Sequence, residues 1–305
     1  MEKKYALSAV SYGEVLFDLF PTHKKIGGAP LNVALRMKSL GVQSKIISKV
    51  GLDEEGSEIF DYLKSKDMDV SFIQKSKEYK TGVVHVMINE KGNASYDIAY
   101  PSAWDKIEQN DELSAVVSSS DVFIFGSLIC RDEVSRNTLF SMIKQANYTV
   151  FDVNLRQPYY IKENLIDLMK ASDFIKLNDE ELREISSELG STYNSFEQNI
   201  KFIAEKTNTK QVCVTKGEFG AVLYSNDKFY YNSGYFIKVV DTVGAGDSFL
   251  ASLIVKLLRG KSPQKALNYA CAIGALVAGQ EGANPQISEK VIRDYMKVEK
   301  KYKNI

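Results

Sequence analysis

Histidine, cysteine and proline are scarce in this chain, and each shortage removes a class of protein. Two histidines among 305 residues, His23 and His85, cannot build a histidine-rich metal site. The three cysteines, at 130, 213 and 271, are odd in number and widely spaced. They exclude a full disulfide framework and every CxxC metal or redox motif, and they fit a reduced, cytoplasmic setting. Six prolines and no low-complexity stretch leave no linker, so residues 1–305 read as a single domain. No apolar run approaches the ~18–20 residues of a membrane span. Lys3 and Lys4 before ALSAV imitate a secretory leader. However, Glu14 and Asp18 interrupt the apolar stretch, and Tyr12-Gly13-Glu14 is no small-residue cleavage site. An excess of charge of one sign is missing too. Thirty-nine basic residues face 39 acidic ones, which argues against nucleic acid or an anionic membrane as partner.

What is present is a rhythm of short Val-, Ile- and Phe-rich runs separated by helical patterns. Tyr5–Val10, Lys45–Val50, Ser71–Gln74, Val122–Phe125, Thr149–Val153, Phe174–Leu177, Gln211–Thr215 and Ala221–Tyr224 read as strands. Residues 5–20 read as one first strand of the mature fold. Leu31–Leu40 and Glu54–Lys66 read as helices, as do Phe140–Asn147, Leu165–Lys170, Ile200–Lys206 and the segments from Asp247 onward. The pattern predicts an α/β fold of three layers, a mostly parallel sheet covered by helices on both faces. Residues 81–105 break the rhythm. Val84, Val86 and Ile88 alternate with Val83, His85 and Met87, then Glu90-Lys91-Gly92-Asn93 turns the chain back into Ser95–Tyr100. This predicts a β-hairpin, and with residues 12–20 a small β lid. The lysines at 297, 300, 301 and 303 read as a solvated, fraying helix end.

The sharpest local signal is Asp241-Thr242-Val243-Gly244-Ala245-Gly246-Asp247, entered from a strand-like Val239-Val240 and followed by an apolar helix. Small residues at a helix N-terminus let several N–H groups converge on one point, an anion hole. Asp247 has two readings here: the cap of a strand-to-helix turn, or the base that takes a proton from a hydroxyl approaching a bound phosphate. The chain contains no GxxxxGK[ST], no GxGxxG after the first strand and no GxSxG elbow. Walker-type, dinucleotide-binding and α/β-hydrolase chemistry are therefore disfavoured.

Gly27-Gly28-Ala29-Pro30-Leu31-Asn32-Val33-Ala34 resembles the N-terminal signature of the ribokinase-like (PfkB) carbohydrate kinases, with Gly41 and Gly51 at its downstream glycine positions. Asp241 to Asp247 resembles their C-terminal signature, DTxGAGD, and Ser252 stands where relatives often have glycine. GEVLFDLFP, AYPSAWDKI and FDVNLR are most similar to segments of the bacterial fructokinases. The resemblance spans the whole chain and implies a ribokinase-like fold with a small β-sheet lid. It implies Asp247 as catalytic base and Gly244, Ala245 and Gly246 as anion hole. Asp18, Gly28 and Asn32 would contact the sugar, and Arg156 would bridge sugar and phosphates. Asn178, Thr215, Gly217 and Cys271 would meet the nucleotide, with Glu181 acting on magnesium through water. Asp241 and Val243, with carbonyls near Gly282, match a monovalent-cation loop, although Gln280–Gln286 carries no diagnostic side chain.

Each residue also has a plainer reading. Asp18 would be an edge-strand carboxylate, Asn32 a helix-terminal residue, Asn178 a turn former and Arg156 a surface ion-pair partner. Trp104, Cys271 and His85 would be packing residues, with Trp104 alternatively stacking on a sugar or anchoring a dimer. The implied activity is ATP-dependent phosphorylation of a sugar hydroxyl, D-fructose to fructose 6-phosphate, with Mg2+. The alternatives are 2-keto-3-deoxygluconate kinase, ribokinase or a non-catalytic sugar- or nucleotide-binding protein. Apolar residues on both lid faces, Val84, Val86 and Ile88 against Val83 and Met87, predict a homodimer built through the lids.

Overall fold

The computed structural model describes residues 6–88 and 94–302, so the Glu90–Asn93 turn, Lys303 and Tyr5 of the Tyr5–Val10 strand lie outside the described residues. The chain begins β1 (Ser8–Tyr12), β2 (Leu16–Leu19), β3 (Lys24–Gly27), α1 (Ala29–Ser39), β4 (Gln43–Gly51), α2 (Glu54–Ser65) and β5 (Ile73–Ser76). The pair β6 (Gly82–Ile88) and β7 (Ala94–Ile98) follows. Then come α3 (Asp111–Ser118), β8 (Val122–Gly126), α4 (Glu133–Ile143), β9 (Thr149–Asp152), α5 (Lys162–Lys170), β10 (Phe174–Asn178), α6 (Asp179–Glu188) and α7 (Phe196–Thr207). The last elements are β11 (Gln211–Thr215), β12 (Ala221–Ser225), β13 (Lys228–Asn232), α8 (Ala245–Leu258), α9 (Pro263–Ala278) and α10 (Glu289–Tyr302).

Nine strands form one sheet in the order β13-β12-β11-β10-β9-β8-β1-β4-β5. Within it β12 runs against the other eight strands, antiparallel to both β11 and β13. Strands buried on both faces need apolar side chains at successive positions, and β8 shows the consequence. Phe123 and Phe125 enter one core with α3–α7, while Val122 and Ile124 enter the other with α1, α8 and α9. Helix α8 is buried continuously from Ser248 to Val255 because it lies between α1 and α9.

A second sheet, β3-β2-β6-β7, sits beside the first. It is mixed, since β2 runs parallel to β6. The reading of 5–20 as one strand is corrected: β1 closes with the Gly13 N–H donating to the Ile47 carbonyl, and Glu14-Val15 carry the chain into the other sheet. β3, whose KKIG is short and polar, gave no strand signal, and residues 99–105 belong to no strand. Trp104 lies there in a 3-10 turn, fully buried, with the Arg131 guanidinium 4.0 Å above its ring. It packs; it offers no face to a sugar or to a second copy. Val84 and Val86 are also buried, in this chain's own core with Leu16, Ile98 and Trp104. The other face, at His85 and Met87, is exposed, and Tyr96, which stands opposite Val86 in register, is exposed on the Val86 side.

Candidate active site

Parallel strands present their carboxyl ends to one rim, and a ligand crevice forms where the strand order reverses direction. Here the chain moves from β1 to β4 on one side and later to β8 on the other, so the crevice opens beyond Tyr12. Glu14 follows β1, Asp152 ends β9, Asn178 ends β10 and Thr215 ends β11.

The two glycine motifs meet there. Gly28 caps α1 at φ +115°, and a Cβ would stand 2.3 Å from the Glu14 carbonyl oxygen, so no other residue fits. Gly244 caps α8 at φ +73° and is pressed against Ala283, with 2.5 Å from a built Cβ to that methyl. Val239-Val240 form no strand; they are exposed loop residues, tied by the Val240 N–H to the Ala278 carbonyl. No side chain caps α8. Asp247 is therefore not the cap but the third residue of the helix. The Ala245 N–H donates to the Thr242 carbonyl at 3.2 Å, which leaves the N–H groups of Gly246 and Asp247 to face an anion.

Asn32, on the first turn of α1, donates through Nδ2 to Asp247 Oδ2 at 2.9 Å. Asp247 is pushed up to about 6, chiefly by burial and then by the neighbouring Asp152 carboxylate, against the Asn32 hydrogen bond, Lys176 and Arg156. Asp152 and Lys176 form a buried ion pair at 3.0 Å behind it. Sequence reasoning passed over this pair, although a lysine inside the apolar strand FIKLN was a signal. It also passed over Glu14. That side chain is buried, its carboxyl is raised to about 7 mainly by burial, and it shares the Arg156 and Asp247 fields. Arg36 is buried as well, donating to Ser248 Oγ at 3.0 Å and to the Pro285 carbonyl at 3.1 Å. It pins α1 to α8.

Asp18 lies on the face of β2 that also carries Leu16, so it points with Val84 and Lys25. Burial raises its carboxyl, while Arg156 and Lys25 lower it. Arg156 is exposed, with Nη1 on the carbonyl of Leu155, and is not a surface ion-pair partner among the described residues. Its field reaches Asp18, Glu14 and Asp247 together.

Thr215, Gly217 and Cys271 line a largely apolar cleft of ≈ 570 Å³ that runs on to Thr242, Ala245 and Gly246. Burial pushes the Cys271 thiol up to about 12, so it is a wall and not a nucleophile. Asn178 does not line this cleft; it pairs in register with Thr215 one strand away. Its Oδ1 accepts from the Glu181 N–H, and Glu181 returns the bond to the Asn178 N–H, a capping box on α6. The other Glu181 oxygen accepts from the Leu155 N–H at 2.9 Å. Among the described residues no cluster of three His, Cys, Asp or Glu side chains stands ready to bind a metal directly. Asp241 ties two loops together: Oδ1 accepts from the Val243 N–H, Oδ2 from the Gly282 N–H, and the Lys25 ammonium stands 3.8 Å away.

The profile of the pfkB family carbohydrate kinase matches residues 2–290. The fructokinase of Solanum tuberosum is 29% identical, covering 91% of this chain and 92% of its own. The fructokinase of Xylella fastidiosa, solved with bound ATP, superimposes at TM-score 0.85 and 20% identity over 96% of this chain and 99% of the other. A double mutant of the Vibrio cholerae fructokinase, solved with fructose, ADP and potassium, gives 0.83 at 23% identity over 96% and 100%. Two glycine signatures from opposite ends of the sequence, meeting over one half-buried aspartate on a shared fold, place this chain in the pfkB family of carbohydrate kinases.

Proposed function

We propose that the protein transfers the γ-phosphoryl group of ATP to a hydroxyl of D-fructose, giving fructose 6-phosphate. The observation that carries the reading is the half-buried Asp247 beneath an uncapped helix N-terminus, hydrogen-bonded to Asn32. Gly28 and Asn32 would hold the sugar with Asp18, whose carboxylate accepts its hydroxyl protons. Asp247 would take the proton of the attacking hydroxyl, and a base titrating near 6 is ionised at neutral pH. The transferring phosphoryl group would lie in the anion hole shaped by Gly244, Ala245 and Gly246, against the free N–H groups of Gly246 and Asp247, with Arg156 drawing the developing charge. The nucleotide base would enter the cleft of Thr215, Gly217 and Cys271.

Mg2+ bound with ATP would neutralise phosphate charge. Glu181, both of whose oxygens already hold backbone N–H groups, suits an indirect role through water. Asn178 would reach the same phosphates through its amide nitrogen. A monovalent cation would be held by the loop 241–243 and the segment at Gly282, joined by Asp241. The small sheet would act as a lid that keeps water from the phosphoryl group. Assembly of two copies would use the exposed face of that sheet, at His85 and Met87, and light scattering at micromolar protein reads it directly.

A second reading, a sugar-acid kinase of the 2-keto-3-deoxygluconate type, is favoured by the two cations Lys25 and Arg156 beside Asp18, which suit a substrate carboxylate. Coupled ADP release with Mg-ATP and a panel of fructose, ribose and 2-keto-3-deoxygluconate decides between them. Turnover of none of the sugars would refute the kinase reading, and so would an Asp247→Asn variant that loses less than ~10²-fold in turnover.

A further inference from the structure

A hydrogen-bond chain enters the reaction centre from the far end of the sequence. Asn284 Nδ2 donates to Asn32 Oδ1 at 2.9 Å, and Asn32 Nδ2 donates to Asp247 Oδ2 at 2.9 Å. The direction of this chain is set by chemistry. An ionised carboxylate only accepts, so Asn32 must turn its NH2 to Asp247. Its Oδ1 then faces Asn284, which must donate. Asn284 gains little else from its position, because its own Oδ1 is buried and accepts from no protein group among the described residues.

We propose that Asn284 is a positioning residue: by occupying Asn32 Oδ1 it locks the Asn32 amide with its NH2 toward the base. The inference rests on Asp247 being that base. The lock serves the reaction twice. Of the two N–H bonds of Asn32, one keeps Asp247 in its ionised, proton-accepting form. The other remains for the sugar hydroxyl, whose oxygen accepts from Asn32 while its proton goes to Asp247. A flipped amide would set Oδ1 against the carboxylate, two acceptors face to face, which only a protonated Asp247 tolerates. The charges facing Asp247 come from other elements: Glu14 after β1, Asp152 on β9, Arg156 beyond β9 and Lys176 on β10. None of them is bonded to Asn284, so a neutral change at 284, as in Asn284→Leu, reaches the base by way of Asn32, whereas a charge placed there also acts on Asp247 directly.

Asn284→Asp keeps the shape and reverses the bond. An ionised carboxylate at 284 takes the Asn32 NH2 for itself and turns Oδ1 toward Asp247. Asn284→Leu keeps the volume and removes the lock. The experiment is the pH profile of kcat from pH 5 to 9, by coupled ADP release, for both variants, the wild type and Asp247→Asn. The acid limb of Asn284→Asp should move up by about one to two pH units, the scale of a lost charge-assisted hydrogen bond. The limb of Asn284→Leu should move the same way by less, with KM for ATP unchanged and thermal stability close to wild type. If Asn284→Asp fails to fold, Asn284→Leu carries the test alone. A loss of turnover equal at every pH, or an unmoved limb beside an inactive Asp247→Asn, overturns the proposal and spares the base. An active Asp247→Asn overturns the base itself, and the proposal with it.

Discussion

Replacing Asp247 by Asn should make the protein more stable and nearly inactive, and the gain in stability should depend on pH. The carboxyl titrates at about 6 in the fold against 3.8 as the ordinary value. A carboxyl whose folded value is raised costs stability once it ionises. The cost is absent below the unfolded value, grows as pH rises from 3.8, and is full above about 6. At about 1.36 kcal/mol per unit, the full cost is about 3 kcal/mol. The Asn variant has no proton to lose and still accepts from Asn32 through its own oxygen. Unfolding entropy of about 2.1 cal/mol/K per residue converts that to a melting temperature higher by about 5 °C at pH 8. At pH 5 the native carboxyl is mostly protonated and the gap should fall to about half. Differential scanning calorimetry of both proteins at the two pH values is the assay. An Asn variant that melts at or below the wild type at pH 8, or a gap that does not shrink toward pH 5, refutes the claim that Asp247 is held ionised against its surroundings.

Gly28→Ala should destabilise the fold by more than about 2 kcal/mol in urea titration, since its Cβ would press on the Glu14 carbonyl at a left-handed φ; a neutral result would mean the turn relaxes freely. Lys176→Met leaves Asp152 buried and unpaired and should cost about 3–5 kcal/mol, most of it recovered when Asp152→Asn is added; an unrecovered double variant would show that the pair does more than cancel charge. Asp18→Ala should raise KM for sugar about 10- to 100-fold and leave KM for ATP nearly unchanged, and equal weakening of both would move Asp18 out of the sugar site. Val86→Asp should lower the melting temperature at every protein concentration, because Val86 packs inside one chain; a change confined to the dimer–monomer balance would contradict its burial.

The glycine loops were legible because their constraint is local. A turn that forbids a Cβ writes glycine into the sequence whatever surrounds it, and Gly28 and Gly244 stand where the motifs put them. Strand existence was legible for the same reason, as in the unbroken apolar run of β8. The faces of the small sheet were not. Alternation says that Val84 and Val86 share a side, but not which side meets the body, and both turn out to fill the chain's own core. Nor could the sequence pair Asp152 with Lys176, Arg36 with Ser248, or Asn284 with Asn32. Those partners lie on separate elements, and a polar residue inside a helix or strand announces that it needs a partner without naming one.

The bond between Asn32 and Asp247 joins residues 215 positions apart, and the one from Asn284 to Asn32 spans 252. A chain leaving the ribosome therefore holds its sugar-side glycines, its nucleotide strands and its lid long before it holds a reaction centre. Activity cannot build up in proportion to the length made. It arrives when α8 and the loop behind it fold back onto α1, a closure across 215 positions and an entropically slow one. Refolding followed by phosphoryl transfer should accordingly lag behind refolding followed by helix content, and the length of that lag measures how late the two ends meet.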